Sequence, residues 1–70
     1  MFEHCYRIVV SGHLGDASRE AFAGFKIEFN GRYTALVAEL DQAALYGALN
    51  RIQSLGLELV ALSRIEGDPR

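Results

Sequence analysis

Three residues near the start of the chain are of types that can ligate a metal or carry acid–base or thiol chemistry: His4, Cys5 and His13. His4 and Cys5 are adjacent, and neighbouring residues of an extended strand point to opposite faces. His13 falls at the far end of the same apolar stretch, too distant to share an ion with His4. The set therefore fails on ligand geometry, the requirement a metal site must meet first. Cys5 would need a helix end or a cation beside it to act as a nucleophile, and Arg7 is the evident neighbour. Ser11, His13 and Asp16 lie close together in sequence but form no nucleophile–base–orienter motif. With no acid–base pair in view, neither catalytic residues nor metal nor cofactor are expected.

The stretch Ser11-Gly12-His13-Leu14-Gly15-Asp16 offers different chemistry. Backbone N–H groups of a glycine turn that leads into a helix can hold a carboxylate or phosphate. Ser11, Gly12, His13, Gly15 and Asp16 are thus the candidate ligand-binding residues. The competing reading is a plain connector whose glycines permit tight geometry.

The elements that would position this loop follow from periodicity. Cys5 to Leu14 reads as a strand with β-branched Ile8, Val9 and Val10 at its centre. Tyr6, Ile8 and Val10 share one face, and Arg7, Val9 and Ser11 the other. Asp16 to Ala23 reads as a short helix capped by Asp16 or Ser18, with Phe22 as its apolar anchor; so short a helix depends on packing. Phe25, Ile27 and Phe29 alternate with Lys26 and Glu28. Asn30-Gly31 then predicts a two-residue hairpin loop, with Phe29 opposite Arg32, Ile27 opposite Thr34 and Phe25 opposite Leu36. Tyr33 to Leu40 returns, with Thr34, Leu36, Ala38 and Leu40 on the inward face.

Leu40 to Leu62 carries the strongest local signals. Asp41 is an N-cap, Leu40 and Leu45 form a hydrophobic staple, and Leu45, Ala48, Leu49 and Ile52 recur at helical spacing. Gly56 stands where a left-handed C′ residue belongs, with Leu57 able to reach Ile52. Leu57 to Ile65 is the last strand, with Leu57, Leu59 and Ala61 expected on one face and Val60 and Leu62 on the other. Residues 1–4 and 67–70 are expected to fray, with Pro69 ending the ladder. The order strand, helix, strand, strand, helix, strand predicts an α+β chain. It is the ferredoxin-like βαββαβ pattern: a four-stranded antiparallel sheet with helices on one face, making residues 1–70 a single domain. The rival topology is a three-stranded meander in which the short helix is only a loop.

Composition narrows the partners. Seventy residues, half of them hydrophobic, can build one small core. Such a core is often completed by a second copy. The net charge of −2 with interspersed signs argues against nucleic acid. So does the outward pair Val9 and Val37, which lacks the base-stacking aromatics of RNA-binding sheets. No apolar run approaches the ~20 residues of a membrane span. Met1 to Tyr6 lacks the features of a secretory leader, and one cysteine fits a reducing, cytoplasmic compartment.

Two resemblances bear on this reading. The segments Asp41-Gln42-Ala43-Ala44-Leu45-Tyr46-Gly47 and Leu55-Gly56-Leu57-Glu58-Leu59-Val60 resemble the ending of a group of short bacterial proteins of uncharacterised function. Their opening is similar to Tyr6-Arg7-Ile8-Val9-Val10 and Gly12-His13-Leu14, and a histidine is common where this chain has Tyr46. That resemblance implies a fold and no catalytic motif. A looser one, in element order and size, is to ACT-type regulatory domains. It implies pairing through sheets and helices, and an amino-acid site near the first strand–helix loop, where Gly12, Gly15 and Asp16 stand. The glycine-aspartate-arginine-proline-glycine wording of those domains is absent here.

The expected function is a non-enzymatic protein-interaction module acting as a homodimer or binding a partner protein. The alternative is an ACT-like regulatory domain for a small ligand such as an amino acid. The expected interface is an apolar outer sheet face of Val9, Tyr33, Val37, Val60 and Leu62, with strand-edge pairing as the rival mode.

Overall fold

The computed structural model describes residues 3–65. Among these, β1 (His4–Ser11), α1 (Asp16–Ala21), β2 (Lys26–Asn30), β3 (Tyr33–Leu40), α2 (Gln42–Ser54) and β4 (Leu59–Ile65) follow one another in chain order. The fold is a small α+β arrangement. Its four-stranded sheet runs β2-β3-β1-β4, and every neighbouring pair is antiparallel. His4 pairs with Leu40, so the strand starts inside the segment expected to fray. The expectations for residues 1–2 and 66–70, Pro69 among them, lie outside the described residues.

One face of the sheet carries the core. Ile8 and Val10 of β1 meet Leu36 and Leu40 of β3, and α2 lays Leu45, Ala48 and Ile52 on them. Burying these side chains is the main favourable term in folding. α1 itself buries nothing; Phe22, the residue that ends it, is fully buried and packs edge-on against Phe25. Neither Asp16 nor Ser18 caps α1. Gly15 occupies the N-cap position, and no side chain bonds to the free N–H groups there. Arg51 of α2 donates from Nη1 to the Ala21 carbonyl at 2.9 Å. That supplies a partner to an end carbonyl of α1 and holds the two helices on the same side.

α2 has the ends its sequence predicts. Asp41 Oδ1 accepts from the Ala44 N–H at 2.7 Å, and Leu40 and Leu45 are both buried. At the other end Gly56 adopts φ +74°. Leu57 N–H donates to the Ile52 carbonyl at 3.0 Å and Gly56 N–H to the Gln53 carbonyl at 3.1 Å, the two bonds of a Schellman ending.

Two strand registers differ from expectation. In the hairpin, Asn30 pairs with Tyr33, Phe29 with Thr34 and Ile27 with Leu36. The loop is therefore Gly31-Arg32, with Gly31 at φ +61° in the first central position, where both common hairpin turns need positive φ. The shift is by two residues, so every side chain keeps its expected face.

In β4 the change does alter faces. Val9 pairs with Ala61, but Val10 pairs with Leu59, which leaves Val60 as the extra residue of a β-bulge. Leu62 pairs with Ile8 and Arg64 with Tyr6. Leu62 therefore lies on the helix-side face and Ala61 on the outer face, the reverse of simple alternation from Leu57. The outer patch that was to unite Val9, Tyr33, Val37, Val60 and Leu62 loses Leu62 to the opposite side.

The two sheet edges contrast. β2 is five residues long and holds the ion pair Lys26–Glu28 at 3.5 Å. β4 is seven residues long, has Arg64 as its one charged residue, and is exposed along its whole length.

Candidate functional site: a cavity beside the first strand–helix loop

Where β1 runs out, the chain turns between the start of β3 and the start of β4. Ser11 N–H donates to the Glu58 carbonyl at 2.9 Å, and Gly12 N–H to the Arg32 carbonyl at 2.6 Å. Thr34 sits on β3 opposite Val10 and is buried. Its hydroxyl donates to the Gly12 carbonyl at 2.6 Å. Gly15 uses its own carbonyl to accept the Arg19 N–H at 2.9 Å as α1 begins.

These bonds decide what the loop can offer. The N–H groups of Ser11 and Gly12 are already engaged, so they cannot cradle an anion. α1 is only six residues long, and a helix so short contributes little field at its end. Of Ser11, Gly12, His13, Gly15 and Asp16, the structure brings His13 alone to a cavity.

That cavity has a volume of about 190 Å³ and is lined by His13, Leu14, Arg19, Ile27, Phe29 and Thr34. Three elements and the loop supply them. The inward parity of β2 delivers Ile27 and Phe29, β3 delivers Thr34, and α1 delivers Arg19. The His13 ring stands against Phe29, with ring centroids 3.7 Å apart and planes inclined by 64°. Leu14 is buried beneath. The wall is thus apolar along Leu14, Ile27 and Phe29 and polar at His13 and Arg19. Arg19, Phe29 and Thr34 escape a reading of the loop sequence because they come from other elements. The signal that was present is the parity of the hairpin, which sends Phe29 and Thr34 to the same end of the same face.

A second concavity, of about 370 Å³, lies between α2 and β4 and is lined by Leu49, Ile52, Gln53, Leu57 and Leu59. It adjoins the exposed β4 strand. Val9 and Val37 on the outer face are half-buried, and Ala35 between the strands is buried. The most exposed aliphatic side chains of the sheet are instead Leu59, Val60, Leu62 and Ile65, each 39–48 % accessible.

Among the described residues, no group of three or more His, Cys, Asp and Glu side chains comes together in a way that could hold a metal ion. No helix among them is long and apolar enough to cross a membrane.

The chain belongs to a family described as a domain of unknown function (DUF8691), whose model matches residues 5–63. No curated protein and no solved structure matches it.

Proposed function

We propose that this chain is a protein-interaction module that works as a homodimer, with β4 as its contact surface. The observation that carries the reading is the concentration of exposed aliphatic side chains on β4: Leu59, Val60, Leu62 and Ile65. A long, apolar, unprotected edge strand is a template for pairing with another chain. Exposed apolar clusters of this kind mark interaction sites more often than scattered single residues do. We read the element order and the strand order β2-β3-β1-β4 as the ferredoxin-like βαββαβ arrangement. In that arrangement β4 is an edge available to a partner. A partner protein of another kind would use the same strand, and the lone Cys5 fits a cytoplasmic setting.

The test is sedimentation velocity on the parent chain and on Val60→Asp combined with Leu62→Lys, with circular dichroism as the control for folding. A dimeric parent and a folded, monomeric variant are expected. A parent that stays monomeric at high concentration refutes the homodimer. A folded variant that remains dimeric moves the contact away from β4, to the outer face of Val9, Tyr33 and Val37.

A second reading is favoured by one specific observation, the cavity with His13 and Arg19 in its wall. It makes the chain an ACT-like regulatory domain that takes a small ligand beside the first strand–helix loop.

A further inference from the structure

We infer that the cavity beside the first strand–helix loop selects a small organic anion, a monocarboxylate with a flat or branched apolar body. Arg19 takes the carboxylate and Phe29 the apolar part. This rests on the second reading above and names the class of ligand for it.

Size sets the first limit. At about 190 Å³ the cavity equals roughly six water molecules at their share of liquid volume, below the range of drug-sized sites. It suits a molecule of roughly ten non-hydrogen atoms or fewer.

Charge sets the second. His13 and Arg19 are the titratable residues in the lining, and no lining residue is acidic. Arg19 has no ion pair or side-chain hydrogen bond among the described residues. Glu28, the nearest acid on the hairpin, points to the outer face and pairs with Lys26. An unpaired guanidinium beside a cavity favours a carboxylate, whose two oxygens match its planar donors. The Thr34 proton is committed to the Gly12 carbonyl, so the donors left to the ligand are Arg19 and His13.

The apolar wall sets the third. Phe29 lies opposite Thr34 on the helix-side face, yet it is 52 % exposed. With Leu14 and Ile27 it forms a surface that an inorganic anion would leave wet. A ligand that carries both a carboxylate and a compact apolar body covers it.

The experiment is a titration of the ¹⁵N-labelled full chain, followed by amide shifts, with benzoate, isovalerate, benzamide and inorganic phosphate. Benzoate or isovalerate is expected to give saturable shifts centred on His13, Leu14, Arg19, Ile27, Phe29 and Thr34. Benzamide is expected to bind about 10-fold more weakly, the weight of one charge-assisted bond, and phosphate about 10-fold more weakly because it leaves the apolar wall uncovered. Arg19→Gln is expected to lose a similar factor for the carboxylates and nothing for benzamide. Benzamide binding as tightly as benzoate would keep the cavity as a ligand site and overturn the anion. Phosphate binding as tightly would overturn the organic body. Unchanged carboxylate affinity in Arg19→Gln would remove Arg19 from the site. No saturable shift with any of the four compounds would overturn both this inference and the ligand-binding reading beneath it.

Discussion

The Thr34 hydroxyl and the Gly12 carbonyl are 2.6 Å apart, and this bond ties the start of β3 to the loop that leaves β1. Thr34 is the one buried polar residue among the described residues, at 1 % exposure. The Gly12 N–H is held from the same side by the Arg32 carbonyl. Gly12 is therefore anchored at both of its backbone polar groups, one residue before His13 enters the cavity wall.

Thr34→Val keeps the shape of the side chain and removes the donor. The Gly12 carbonyl then loses its partner, and a loss of about 1–2 kcal/mol is expected. Urea denaturation of parent and variant measures it. Thr34→Ser, which keeps the hydroxyl, should retain the bond and cost only its missing methyl group.

Two glycines of the second helical segment should respond to alanine with opposite signs. Gly56 holds φ +74° at the C′ position of α2 with open space around it, so the cost of Gly56→Ala is in the backbone alone. It should destabilise by about 1 kcal/mol. Gly47 lies inside α2 with nothing within 4 Å of an added Cβ and no positive φ. Gly47→Ala should stabilise by about 0.5–1 kcal/mol through helix propensity. Thermal melts of the two variants beside the parent test the pair, and a shared sign would contradict the assignment of the helix end.

Phe22 is fully buried, although α1 buries no residue of its own. α1 is thus held to the core by the Phe22 ring and the half-buried Ala21, and to α2 by the Arg51 bond to the Ala21 carbonyl. Phe22→Ala should cost about 3–5 kcal/mol, enough to unfold a small domain of marginal stability. Phe22→Leu should cost clearly less. Chemical denaturation of both gives the comparison, and a Phe22→Ala protein of parental stability would show that α1 is dispensable.

The parts of this fold that were legible in the sequence are those written in neighbouring residues. α2 shows its cap, staple and left-handed end within one stretch from Leu40 to Leu57. The hairpin was legible in its faces but not in its pairing. Asn30-Gly31 is a strong turn signal, yet Asn30 joins the ladder opposite Tyr33 and the turn moves on to Gly31-Arg32. A two-residue shift conserves parity, so the core set survived it. The β4 bulge left no local mark: Leu59, Val60 and Ala61 look like any apolar strand, and the break is visible only against Val9 and Val10. The cavity was half legible for the same reason. His13 belongs to the loop, whereas Arg19, Phe29 and Thr34 reach it through tertiary packing.

The inequality of the two sheet edges bears on how far assembly can proceed. Two copies that join β4 to β4 around a two-fold axis use the same edge on each side, so the contact is isologous and closes on itself. What the pair then presents at its ends is β2 twice over, short and carrying Lys26 and Glu28, features that discourage further strand addition. Growth into a filament would need an unlike edge to accept β4, and the charged β2 is a poor acceptor. A pair joined in this way would offer no edge suited to a third copy.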